Sequence, residues 1–531
     1  MKKRDLLTSD ILNAFGEESK IDGHFCTEKV DLGNSKFGID IFTVIKKKEK
    51  SGEEYLYLSG LYKKGVINLL EHFGICHIKE NQSFILIRKE FNIISEISLK
   101  EIKDLVNDYL TKLPELNIEI DGVEASFTPE AQTEMFYRQT NMVLNDKFLD
   151  FLRKDETPIK KDSTDKACIF FENCIVEIDS KEVVRIPYSK TVDGLIWKKD
   201  IINRQIKDRD SSPCHFSKFT ENISNKDRQR ILSLRSGLGY LMHSFQRSSG
   251  GQMVLLYDES ITDVNIPQGG TGKGLLANAV TMIRNTVKMD GKKFKGNSRF
   301  DFQDVDRATK VLWIDDISKD IDIDRFNSLS TDGFNLEQKF KDSFFILAQD
   351  SPKILICSNV ILDCVGSTRK RRQFIIELSD YYSCKIMTGV EEPIVEEHGC
   401  RFFTDEWGDD EYNRFYWYMI YCIQLYLDKG LIPVPSINMV ENRLRQIIGE
   451  EFLSWAKSKE FKPTEAHNTK ELHEEYKELY EDGNNKFTQR TFSNYLRKYV
   501  NHMDLSVEFY TKSFKGQKIS FFRIINNKSQ V

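Results

Sequence analysis

The spacing of apolar residues along the chain changes period several times, and each change marks an element. YLYLSGLY (55–62) and SFILIRKEF (83–91) read as strands, and KKGVINLLEHFG between them reads as a helix. SLKEIKDLVNDYLTKL then repeats its apolar residues every three to four positions behind Ser98, whose hydroxyl suits a helix N-cap. These elements predict a small α/β domain over residues 1–125, in which no acidic pair marks a primase active site. From 126 to 225 the pattern is mixed and reads as a linker or an accessory region. EMFYRQTNMVLNDKFLDFLRKD is helical, ACIFFENCIVEID is hairpin-like, and KDRDSSPCHFSKFTENISNKD is polar and turn-rich, as a linker is.

Residues 226–400 carry the clearest pattern. DRQRILSLRSGLGYLMHSF and GLLANAVTMIRNTV are helical, while QMVLLYDE, KVLWIDDI, PKILICSNVIL and FIIELS are nearly continuous apolar strands. Strands this apolar, alternating with helices, predict a mostly parallel sheet covered on both faces. Residues 401–531 open with an aromatic helix, EYNRFYWYMIYCIQLYLDKG, that stops at Gly430 shortly before Pro433. Two helices and two strands close the chain.

Composition adds bounds. A chain of 531 residues with 40% hydrophobic and 30% charged residues is expected to fold as several soluble domains. Its net charge of −5 argues against a nucleic-acid coat protein but leaves room for a local basic face. The ten cysteines are scattered without a CxxC pair, as free thiols in a reducing cytoplasm would be. The basic N-terminus lacks the apolar core of a signal peptide, and no run is long enough to span a membrane, so a cytoplasmic protein is expected.

The segment Gly269-Gly270-Thr271-Gly272-Lys273 sits between an apolar strand and a helix. A triphosphate needs many donors in a small space. Glycines let backbone N–H groups turn inward, the helix offers its positive end, and Lys273 supplies an ammonium for the β- and γ-phosphates. Against G-x-x-x-x-G-K-[ST], Pro267 replaces the first glycine and Gly274 replaces the hydroxyl residue that would hold Mg²⁺. A Gly-rich turn without a ligand is the plainer alternative.

Three further features follow in order. Asp315 and Asp316 end an apolar strand, where one carboxylate can hold Mg²⁺ and the other can polarise water. Asn359 ends the next strand, where an amide can sense the γ-phosphate. Ser367-Thr368-Arg369-Lys370-Arg371-Arg372 precedes FIIELS, and Arg371 or Arg372 suits a γ-phosphate contact made across a subunit boundary. Lys339 and Lys341, two residues apart, could grip phosphates in a central channel, although a solvated strand edge explains them nearly as well.

This order of motifs resembles the superfamily 3 helicases of the AAA+ class, above all the helicase half of poxvirus- and phage-type primase-helicases. QMVLLYDE…PQGGTGKGLL resembles motif A, VLWIDDI motif B, GFNLEQKFKDS the lysine-bearing B′ element, PKILICSN motif C, and TRKRRQFIIEL the arginine-finger segment. The resemblance implies an AAA+ P-loop core, ATP and Mg²⁺ as cofactors, a hexamer with ATP sites between subunits, and 3′-to-5′ movement on single-stranded DNA. It also implies primase or other replication proteins as partners. Gly274 departs from the family pattern.

The last eighty residues read as a winged helix in a C-terminal domain spanning 401–531. TQRTFSNYLRKYVN would be the recognition helix, capped by Thr488 or Thr491, and VEFYTKSFKGQKISFFRI the wing. Arg490, Arg497 and Lys498 are its candidate DNA contacts, within a tail whose nine Lys/Arg from Lys486 to Lys528 face only Asp504 and Glu508. An oligomerisation or lid element with a solvated basic side is the alternative. For the whole chain the readings are an ATP-dependent replicative DNA helicase, or a non-unwinding AAA+ switch that recruits partners to DNA.

Overall fold

The computed structural model describes residues 41–80, 83–188, 194–247, 251–260, 270–294, 298, 300–318, 321, 323–337, 343–362, 371–459, 461–462, 464–480, 487–503, 505–514 and 517–526. The chain divides into two compact units, one of residues up to 160 with 192–198, the other of 161–191 and 199 onward.

The first unit is built on a five-stranded sheet in the order 196–197, 93–96, 83–90, 75–80, 154–155. Helices Lys63–His72, Leu99–Leu110 and Pro129–Val143 bury Leu69, Val106 and Phe136 in one core. Ser98 caps its helix in a reciprocal box. Its Oγ accepts the Glu101 N–H at 3.3 Å, and the Glu101 carboxylate accepts the Ser98 N–H at 2.8 Å. The boundary expected at 125 lies at 160 instead, because Phe136, Val143, Phe148 and Leu152 complete this core.

The second unit contains an all-parallel five-stranded sheet. Its strands are β1 (Met253–Asp258), β2 (Thr286–Asp290), β3 (Val311–Asp315), β4 (Lys353–Cys357) and β5 (Gln373–Leu378), in the order β2-β3-β4-β1-β5. Every residue of β1 and β4 is buried, as expected for strands covered on both faces. Alternate residues face two cores. Val254, Leu256, Trp313, Leu355 and Cys357 join one, and Leu255, Tyr257, Leu312, Ile314 and Ile356 join the other.

The first of these cores also takes in α1 (His215–Ile223), α2 (Arg228–Met242), α3 (Lys273–Thr281) and α4 (Asp409–Lys429). Two expectations change here. The polar stretch read as a linker contains α1, whose Phe216, Phe219 and Ile223 are fully buried. The aromatic helix α4, assigned to the C-terminal domain, packs Phe415, Met419 and Ile423 into the core of the parallel sheet beside Leu234 and Leu238 of α2. The helix expected to run through IRNTV stops at Thr281, and Thr286–Asp290 is the edge strand β2. None of its five residues is fully buried, and from Val287 on they alternate between partly buried and exposed, which suits a strand with one neighbour.

Beyond residue 438 a separate core forms. Phe452, Trp455, Phe492, Leu496, Phe522 and Ile524 bring together α5 (Thr469–Tyr480), α6 (Gln489–His502) and the hairpin β6 (Leu505–Phe514) and β7 (Gln517–Asn526). Thr488, not Thr491, is the cap of α6, accepting the Thr491 N–H at 3.2 Å. Among the described residues no helix is long and apolar enough to cross a membrane.

Candidate nucleotide site

The carboxyl ends of β1, β3 and β4 and the N-terminus of α3 meet at one edge of the parallel sheet. Gly272 is the N-cap of α3 at φ 103°, and Gly270 has φ 99°, both in the left-handed region that favours glycine. A Cβ on Gly272 would stand 2.7 Å from the Phe219 ring, so α1 forms a wall against the loop. The N-cap has no side chain to accept the first amides of α3, so those donors are left for another acceptor. Thr271 is buried beside them. Gly269 lies outside the described residues.

Lys273 begins α3, and its ammonium pairs with Asp258 at the tip of β1. Both side chains are nearly buried, at 11% and 8% exposure. The second carboxylate oxygen of Asp258 is buried with no hydrogen-bond partner among the described residues. Asp258 alternates with Val254 and Leu256 onto the face that carries α3, as Cys357 of β4 does. The Cys357 Sγ lies 4.0 Å from the Lys273 carbonyl oxygen, and burial pushes this thiol up to about 12, so it is a neutral wall. Gly274 offers no hydroxyl, and a Cβ there would meet nothing within 4 Å.

Asp315 ends β3 and pairs with Lys288 of β2 at 2.8 Å. Asp316 pairs with Lys292, which sits in the turn after β2. That turn is fixed by the Gly291 N–H donating to the Asp315 carbonyl at 2.6 Å. Asp316 adopts φ 55°, held by its N–H donating to the Cys357 carbonyl at 3.0 Å and by Asn359 Nδ2 donating to its Oδ1 at 3.1 Å. The acid after β3 and the amide after β4 are therefore one hydrogen-bonded pair. Each of the three strand-tip acids carries a lysine: Asp258 with Lys273, Asp315 with Lys288, Asp316 with Lys292.

Arg371 and Arg372 lie elsewhere. The Arg372 carbonyl accepts the Met253 N–H at 2.8 Å and the Arg371 carbonyl accepts Gln252 Nε2 at 2.9 Å, so both stand at the amino ends of β1 and β5. A six-residue strand separates that end from Asp258, roughly 20 Å. Lys339 and Lys341 lie outside the described residues; the hairpin that flanks them pairs Phe334–Leu336 with Phe344–Ile346. Arg490, Arg497 and Lys498 are exposed on α6, opposite its buried Phe492, Leu496 and Val500.

Sequence reasoning missed Asp258, Lys288 and Lys292. Asp258 had a visible signal, an acid closing an otherwise apolar strand and separated from the glycine loop by ten residues. The lysines had none, because each meets its acid only across the β2–β3 pairing.

A family described only as a family of unknown function, DUF5906, matches residues 266–372, which run from the glycine loop to Arg372. No curated protein matches the chain. Three solved structures titled as apo forms of the NrS-1 C-terminal region are similar at 12% identity, each covering 86% of this chain and 98% of its own, with TM-scores of 0.38, 0.38 and 0.40.

Proposed function

We propose that the second unit is a P-loop ATPase of the AAA+ superfamily 3 type, and that the protein is an ATP-dependent DNA helicase working as a ring on single-stranded DNA. One observation carries this reading. A helix N-terminus with uncapped amides, a lysine, two strand-tip acids and an asparagine converge at the carboxyl edge of a parallel sheet, where such folds bind ligands. On this reading Lys273 leaves Asp258 for the phosphates. Asp316, steadied by Asn359, is the group that polarises the attacking water.

Among the described residues no third His, Cys, Asp or Glu joins Asp315 and Asp316 as a metal cluster. That suits magnesium, which takes one or two carboxylates and completes its shell from phosphates and water. When bound with ATP it would neutralise phosphate charge. Arg371 and Arg372, at the far edge of the sheet, can serve only a neighbouring subunit's site, so the reading requires a homo-oligomer. The C-terminal domain then acts as a winged helix, with α6 and its basic side chains toward DNA.

Gly274 favours a second reading, a slow ATP-dependent switch that recruits replication partners without unwinding. ATP turnover of the purified protein with and without single-stranded DNA, beside Lys273→Ala, tests both. DNA-stimulated turnover with strand separation, lost in Lys273→Ala, is expected of the helicase. Turnover without separation selects the switch, and turnover unchanged in Lys273→Ala removes the site.

A further inference from the structure

The hairpin β6–β7 has two faces of different character. The inner face, with Phe509, Phe522 and Ile524, belongs to the core under α6. The outer face carries a second aromatic pair that this core does not use. Tyr510 and Phe521 are cross-strand partners whose rings stack at 6.0 Å between centroids and 20° between planes. Lys512, next along that face, lies 5.5 Å and 5.7 Å from the two ring centroids, and Arg523 lies 5.9 Å from the Tyr510 ring. Arg523 is held by Glu508 at 2.6 Å, whereas Lys512 makes no ion pair among the described residues.

A cross-strand aromatic pair stabilises a hairpin wherever it occurs. That role does not explain two cations gathered around the outer rings, or a basic tail on a protein of net charge −5. Parallel rings with an adjacent ammonium match the chemistry of a nucleotide, whose base stacks on the π-face while its phosphate meets the charge.

We propose that Tyr510 and Phe521 form a base-stacking platform for single-stranded nucleic acid, with Lys512 as its phosphate contact. The strand lies along the outer face of the wing, distinct from the exposed side of α6. The proposal deepens the nucleic-acid part of the function proposed above and is independent of nucleotide hydrolysis.

The test uses the full chain and fluorescence anisotropy with three probes: labelled oligothymidylate, an abasic strand of equal length, and a duplex. Wild type should bind oligothymidylate about tenfold more tightly than the abasic strand, the scale of one or two stacked bases. Tyr510→Ala with Phe521→Ala should erase that advantage and leave abasic binding unchanged. Lys512→Ala should weaken both single strands and flatten the salt dependence. Equal wild-type affinity for the two single strands overturns the platform, as does an advantage that survives the double substitution, or tighter binding to duplex alone.

Should the double variant not fold, photo-crosslinking of wild type to a 5-iodouracil strand decides: adducts at Tyr510 or Phe521 support the platform, and adducts elsewhere overturn it. ATP turnover is read on the same samples. Absent turnover with an intact base preference sinks the motor and leaves the platform, and the converse sinks the platform alone.

Discussion

If Lys273 serves a nucleotide as proposed, replacing Asp258 with asparagine isolates the contact that competes for it. Asp258 and Lys273 are 8% and 11% exposed, and the second Asp258 oxygen has no partner among the described residues, so the carboxylate depends on one ammonium. Moving that ammonium to a phosphate leaves a buried carboxylate uncompensated, which costs about 3–5 kcal/mol where such pairs have been broken. Coulomb's law at an effective dielectric near 20 gives a similar ~4 kcal/mol at 4 Å. The ammonium stays close by and water enters with the nucleotide, so about 1–3 kcal/mol should survive as a penalty on binding. Asp258→Asn removes the charge and keeps the shape. Titration with a fluorescent ATP analogue should show roughly ten- to hundredfold tighter binding. The nucleotide-free variant should also melt earlier than wild type, and saturating ATP should restore it. Unchanged or weaker nucleotide binding would refute the reasoning, because it would mean that Asp258 orients Lys273 for the phosphates and does not compete with them.

Two other perturbations follow from buried charges on the amino side of the same sheet. Arg284 donates to the Met242 carbonyl at 2.6 Å, the Cys168 carbonyl at 2.9 Å and Asp162 Oδ2 at 2.9 Å, so Arg284→Ala leaves the buried Asp162 carboxylate with no cation bonded to it, held only by the Cys168 and Ser244 N–H groups, and should lose about 3–5 kcal/mol in urea unfolding; a loss under 1 kcal/mol would show the network to be dispensable. Lys353 opens β4 over the Tyr240 ring at 4.0 Å, and burial lowers its pKa from 10.5 to about 7. From pH 7 to 10.5 the unfolded chain binds the proton that the folded chain has released, so this lysine's destabilisation is full below pH 7 and fades as pH rises. Lys353→Met should therefore exceed wild type in stability most at pH 6 and progressively less toward pH 10, and a gap independent of pH would contradict the buried placement.

What could be read beforehand was what lies within one element. Four strands of the parallel sheet, β1, β3, β4 and β5, announced themselves as apolar runs, and Ser98 ahead of a three-to-four-residue apolar spacing announced a helix cap. α1 was hidden because Pro213, Ser217, Lys218 and Glu221 surround its apolar residues, although Phe216, Phe219 and Ile223 fall at helical spacing. β2 was hidden because TVKMD carries charge at two of five positions, which an edge strand tolerates and a central strand does not. The pairing of each strand-tip acid with its lysine depends on which strands are neighbours, and no local pattern encodes that.

The two arginines show that one topological consequence was available from order alone. In a parallel sheet, residues that follow a strand all lie at one edge and residues that precede a strand lie at the other. Lys273, Asp316 and Asn359 follow β1, β3 and β4, whereas Arg371 and Arg372 precede β5. With the strands parallel, neither arginine reaches the lysine of its own chain, since the Arg372 carbonyl is bonded to Met253 at the start of β1 and the length of that strand, roughly 20 Å, lies between. A role for Arg372 in hydrolysis is thus equivalent to a claim about assembly. If mixing a Lys273→Ala chain with an Arg372→Ala chain restores turnover that each lacks alone, the arginine acts on its neighbour. A lack of rescue in mixed oligomers that demonstrably form would leave Arg372 without a part in hydrolysis.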